Sequence, residues 1–190
     1  MLRQLAVLCA LLFCSACSEP PQKEIDRAQG AIDAARAAGA EQYASAEFGA
    51  ATTSMQQAHD AVAQGDYRTA LSRALAAHER AQEAAKQAAD GKARARSEAE
   101  GAVHAATTAF QQLRTAMKMA EGQKQKSPHL PEARKTAARV EASLQEARAH
   151  LKAERYFEAS AALKEIVPQV SAQIVALNET ASKAKPVRRR

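Results

Sequence analysis

From residue 22 to about residue 182 the apolar positions recur every three or four residues, so nearly every stretch reads as an amphipathic helix. In the first, Ile25, Ala28, Ile32 and Ala35 share a face, and Gly39 ends it. The second begins near Ser45, a suitable N-cap, and places Phe48, Ala51, Met55, Ala58 and Val62 together. Gln64-Gly65-Asp66 then closes that helix and opens the next. Gly65 supplies a left-handed C-cap, Asp66 caps the helix that starts at Tyr67, and so short a connection makes the two helices antiparallel neighbours.

The third helical region turns Tyr67, Ala70, Leu71, Ala74, Ala77, Ala81, Ala84 and Ala88 inward and continues to Val103, Ala106, Phe110, Leu113 and Met117. Gly91 and Gly101 each cost about 1 kcal/mol relative to Ala without breaking a helix. One helix of roughly 80 Å from Asp66 to near Glu121 is favoured over two meeting near Gly91. Residues 122–131 form the strongest loop signal, and Pro131 suits the first turn of a fourth helix bearing Ala133, Ala137, Val140, Leu144, Ala147 and Leu151. A fifth carries Tyr156, Ala159, Leu163, Ile166, Val170, Ile174 and Leu177, with a kink expected at Pro168.

An offset of 89 residues superposes Met55 on Leu144, Ala58 on Ala147, Val62 on Leu151, Tyr67 on Tyr156, Ala70 on Ala159 and Ala74 on Leu163. The same helical hairpin therefore occurs twice, at about 45–90 and 131–180. Glu154 and Arg155 replace Gly65 and Asp66 in the second copy, which leaves an uninterrupted helix through Arg155 as an alternative there. In each copy the tyrosine after the turn, Tyr67 or Tyr156, is expected to wedge between the paired helices. The fold class is all-α: an elongated antiparallel bundle of about five helices, spanning 22–182, built on two related hairpins that share a long central helix.

Composition agrees and narrows the class. Of 190 residues 49 are Ala and only seven are aromatic, with no Trp, which disfavours β-sandwiches, barrels, doubly wound α/β enzymes and channels. Alanine stripes let helices approach closely but bury little area each, so grooves are expected to be shallow.

Residues 1–16 have a different character. Arg3 is a positive start, Leu5 to Phe13 form a short apolar run, and Ser15 and Ala16 are small, the pattern of a secretory signal peptide too short to span a membrane. Cleavage between Ala16 and Cys17 would remove Cys9 and Cys14 and leave Cys17 first, with no partner for a disulfide. Cys14-Ser15-Ala16-Cys17 resembles the lipobox of bacterial lipoproteins, with Cys14 where Leu is usual. The resemblance implies that Cys17 carries a diacylglyceryl group and an amide-linked acyl chain. It also implies, because Ser18 is not Asp, sorting to the outer membrane of a Gram-negative bacterium. Residues 17–21 then comprise the acylated Cys17 and a stiff spacer, Ser18-Glu19-Pro20-Pro21, between anchor and fold.

Gly39-Ala40-Glu41-Gln42-Tyr43, Glu47, Met55-Gln56-Gln57-Ala58 and Ala63-Gln64-Gly65-Asp66-Tyr67-Arg68-Thr69-Ala70 together resemble an uncharacterised family of alanine-rich Gram-negative lipoproteins. Its members share a domain of unknown function, in some placed ahead of an OmpA-like peptidoglycan-binding domain. The likeness covers about residues 17–90, and no OmpA-like segment follows it here. The turn also looks like those of tetratricopeptide repeats, without their 34-residue period.

Candidate chemistry is sparse. His59, His78, His104, His129 and His150 form no recognisable metal or catalytic spacing and read as surface or rim residues. Carboxylates such as Glu79, Glu83, Glu141 and Glu146 lie at helical spacing from Arg80, Lys86, Arg139 and Arg148, the pattern of a solvated face. Met55, Met117 and Met119 read as core filler in preference to an adaptable groove. No catalytic residue, metal or cofactor is expected.

The formal charge of +6 is unevenly placed. Arg3 lies in the leader and five basic residues, Lys183, Lys185, Arg188, Arg189 and Arg190, lie in a tail at 183–190, so 21 remain in the body against 21 acidic residues. The tail reads either as a solubilising end or as a contact for anionic lipid or polysaccharide, with nucleic acid a poor candidate. The expected function is a non-enzymatic cell-envelope lipoprotein, facing the periplasm and acting as scaffold, spacer or adaptor with an envelope protein partner. The alternative is a peptide- or subunit-binding hairpin module with a chaperone-like role, and a hydrolase is the least supported reading.

Overall fold

The structure, a computed structural model, describes residues 19–122 and 127–183. Among them are seven helices and no strand: α1 (Gln22–Ala37), α2 (Ala40–Tyr43), α3 (Ser45–Ala63), α4 (Tyr67–Glu121), α5 (Leu130–Lys152), α6 (Tyr156–Leu163) and α7 (Ile166–Lys183). The chain is an all-α helical bundle with one long central helix. α4 is unbroken over 55 residues, so neither Gly91 nor Gly101 interrupts it.

Five expected helical stretches become seven for local reasons. Gly39 ends α1 in the left-handed region at φ 85°, and one extra turn, α2, follows before α3. Ser45 is the first residue of α3; Ala44 holds the N-cap position and no side chain caps the helix. The expected fifth helix is broken at Lys164 and Glu165 instead of kinked at Pro168. A proline ring collides with the carbonyl four residues before it, here that of Lys164, so the break falls upstream and Pro168 lies in the first turn of α7, where a missing N–H costs nothing.

The chain divides into two compact units at Gly91 and Lys92, each with a core drawn from its own residues. In the first unit, Ile25, Ala28, Ile32 and Ala35 of α1 and Phe48, Ala51, Met55 and Ala58 of α3 enclose Ala74, Ala77, Ala81, Ala84 and Ala88 of α4. Arg80 pairs with Glu47 across α3 and α4 at 3.3 Å. Leu71, expected to face inward, is instead 38% exposed: it lies about 100° around the helix from Ala70, outside the alanine stripe.

In the second unit the core joins Ala106, Ala109, Leu113, Ala116 and Ala120 of α4 to Leu130, Ala133, Val140, Leu144 and Ala147 of α5, with Leu163 of α6 and Ile166, Val170 and Leu177 of α7. Pro131 sits at the start of α5 as expected. The internal order is the same in both units: a first helix, a second antiparallel to it, then the Tyr67 or Tyr156 helix after a tight turn.

Candidate functional site

The two tight turns are the best-defined local features that the sequence singles out. In the first, the Asp66 N–H donates to the Ala61 carbonyl at 2.9 Å and the Gly65 N–H to the Val62 carbonyl at 3.0 Å. This six-to-one and five-to-two pair is a Schellman closure, and it requires the left-handed residue that Gly65 provides at φ 74°. The Asp66 carboxylate then accepts the Thr69 N–H at 3.1 Å, capping α4 as expected. The Thr69 side chain and backbone, and then the nearby Arg68 charge, hold the Asp66 carboxyl below the usual carboxylate range.

The second turn repeats this geometry 89 residues on. Arg155 N–H donates to the His150 carbonyl at 2.9 Å and Glu154 N–H to the Leu151 carbonyl at 3.1 Å, so the helix does stop before Tyr156. Here Glu154 takes the left-handed conformation, at φ 57°, without the freedom of glycine. Its carboxylate accepts Lys92 Nζ at 2.7 Å. That hydrogen bond and the Lys92 charge, with a smaller contribution from Arg96, keep Glu154 below the usual carboxylate range.

The two tyrosines are not equivalent. Tyr156 is 5% exposed, as a wedging residue would be, whereas Tyr67 is only half-buried. Ala16, Cys17, Lys185, Arg188, Arg189 and Arg190 lie outside the described residues, while Lys183 is the last residue of α7.

Sequence reasoning missed one backbone contact. Gly91, read as a tolerated helix defect, lies where Tyr43 packs against α4: a Cβ at position 91 would be 2.8 Å from the Tyr43 carbonyl oxygen and 3.1 Å from its Cβ. Only a glycine fits there, and the signal, a mid-helix glycine beside a tyrosine near a turn, is visible only once α2 is placed. Around α1's end, Arg36 bridges Asp33 and Glu41, both at 2.9 Å, and stacks over the Phe48 ring at 5.4 Å. His150 is also more enclosed than a rim histidine, with Nδ1 buried and unpaired and Nε2 3.7 Å from Glu146.

Two open depressions lie among the described residues of the second unit. One of about 360 Å³ lies between α4 and α7, lined by Thr108, Gln111, Gln112, Thr115, Ala116, Met119 and Asn178. Another of about 630 Å³ runs beside Gln111, Arg114, Met117, Lys118 and Glu121 on α4. Met119 is 68% exposed, contrary to the core role expected of it. Among the described residues no group of three or more His, Cys, Asp or Glu side chains is placed to hold a metal ion, and no helix is long and apolar enough to cross a membrane.

No curated protein and no solved structure matches the chain. A family model does match, and its span takes in α1, α2, α3, the first tight turn and α4 as far as the start of the second unit. The residues matched are 23–102, and the model is that of a domain of unknown function, DUF4398.

Proposed function

We propose that the chain is a non-enzymatic lipoprotein of the Gram-negative cell envelope, tethered through acylated Cys17 to the outer membrane and serving as a scaffold, spacer or adaptor on the periplasmic side. The observation that carries the reading is the short stretch of sequence between Cys17 and the first helix. A leader with small residues at Ser15 and Ala16 ends at Cys17, and α1 begins at Gln22 after Pro20 and Pro21. Several acyl chains at ~0.8 kcal/mol per buried methylene anchor a protein stably, and a four-residue spacer, Ser18 to Pro21, then presents the helices directly at the membrane.

Metabolic labelling with a clickable fatty acid tests the anchor. Wild type should be labelled and Cys17→Ala should not; equal labelling of the two would end the lipoprotein reading. In-cell crosslinking followed by mass spectrometry tests the scaffold, which predicts one or two folded envelope proteins recovered reproducibly.

The groove between α4 and α7 favours a second reading, a peptide- or subunit-binding module with a chaperone-like role. Its Thr, Gln and Asn side chains surround Ala116 and the exposed Met119, a mixed lining suited to a transient chain contact. Capture of many unfolded clients at photo-crosslinkers placed at Thr115 or Asn178 would support this reading over the scaffold.

A further inference from the structure

The first unit carries an exposed apolar pair that its own core does not use. Leu71 and Leu75 of α4 are 38% and 45% exposed and stand one turn apart, so they leave the helix on the same side. Arg68, also exposed, lies one turn before Leu71.

Topology decides which end of the unit this is. α1 and α3 are joined by a short connection and packed together, as are α3 and α4, so α1 and the first part of α4 run in the same direction. The contact of Tyr43, just after α1, with Gly91 of α4 marks the far end. Gln22 and the stretch from Tyr67 to Leu75 therefore share the near end, where the chain enters. The five residues from Cys17 to Pro21 reach at most about 17 Å at ~3.5 Å each.

We propose that Leu71 and Leu75 are the point at which the first unit rests on the lipid bilayer, with Arg68 at headgroup level. The inference rests on the anchoring of Cys17 proposed above. Two leucines are far too small a patch for a stable protein interface, which covers ~800 Å² per partner. They suffice beside a membrane, because a short tether holds the bilayer at an effective concentration on the order of millimolar and turns a weak contact into a populated one. Arginine can lay its stem on the apolar surface while its guanidinium meets phosphate.

The chain from Cys17 onward contains every described residue and one cysteine, and the protein has no Trp. It can therefore be coupled through Cys17 to a maleimide lipid in phosphatidylethanolamine–phosphatidylglycerol vesicles with brominated acyl chains. Single tryptophans are placed by Leu71→Trp, Leu75→Trp and, as a control on the same side of α4 about 16 Å further on, Lys86→Trp. Circular dichroism verifies that each variant keeps its helices.

The expected result is quenching at positions 71 and 75 about threefold or more stronger than at 86. Equal quenching at all three positions, or none at 71 and 75, would overturn the proposal. The chemical tether imposes the anchor whether or not cells acylate Cys17, so this outcome is independent of the fatty-acid labelling that tests the anchor itself.

Discussion

At the residue scale, three glycines of the chain have opposite meanings although two lie in the same helix. At Gly65 a side chain would find open space but not a comfortable backbone, so Gly65→Ala should destabilise by about 1–2 kcal/mol through φ alone. At Gly91 the backbone is ordinary helix but the Tyr43 carbonyl stands in the way; Gly91→Ala should cost about 1–3 kcal/mol as α2 is pushed aside. At Gly101 nothing lies within 4 Å, and Gly101→Ala should add about 0.5–1 kcal/mol. Chemical denaturation of the three variants gives the order directly. The two turn carboxylates add a pH dependence of definite sign. Asp66 and Glu154 both titrate lower in the folded chain than in the unfolded one, so their contribution is complete above the ordinary carboxylate range, about pH 4, and is lost as pH falls through the folded values. Asp66→Asn and Glu154→Gln should each flatten the acid limb of a melting-temperature profile, and an unchanged limb would show that these turns do not couple to folding.

At the element scale, α4 has two kinds of buried face. Its first part offers only alanine, from Ala70 to Ala88, whereas its last part includes Leu113, and the other fully buried large residues, Val140, Val170 and Leu177, belong to the second unit. The first unit therefore depends on close helix approach and the second on side-chain volume. Ala81→Leu should cost about 1–3 kcal/mol by overpacking, and Leu113→Ala about 2–5 kcal/mol by leaving a cavity, each read by hydrogen exchange confined to its own unit. Most of this was legible beforehand: the three-to-four spacing gave the helices, Gly65 and Asp66 gave the first turn, and the offset of 89 carried that turn to Glu154. The turn survives there because backbone hydrogen bonds define it and the residue type only tunes its cost. What could not be read was tertiary. Leu71 looks inward by apolar character, and only placing α1 and α3 shows that alanine alone forms α4's side of the interface. Pro168 announces a disturbance but not its position four residues upstream. Pro168→Ala should let α6 and α7 join, seen as added helical dichroism and slower amide exchange at residues 164–169.

At the scale of the molecule, the formal charge separates into a neutral body and a basic tail, so the long-range attraction to an anionic surface belongs to residues 183–190. Deleting them should weaken binding of the untethered chain to anionic vesicles at low ionic strength and remove most of its salt dependence, since the Debye length falls from about 30 Å in dilute buffer to about 4 Å at 0.5 M salt. Binding unchanged by the deletion would assign the tail to solubility alone. The family match ends at residue 102, yet the second unit repeats the internal order and the turn of the first. The two units thus share a local architecture while differing in what fills it, alanine on the α4 face of the first and Leu113, Val140, Val170 and Leu177 in the second.

The paired Schellman turns also bear on how the chain reaches its native state. Each closes with partners five residues apart and joins helices adjacent in sequence, so the entropy of loop closure is small and most native contacts are local. The first core is complete by Ala88, before any residue of the second is required. A chain emerging amino terminus first, from a ribosome or a translocation pore, can therefore condense its first unit while the remainder is still in transit, and refolding should be fast, in the range of micro- to milliseconds, without a slow phase from long-range pairing.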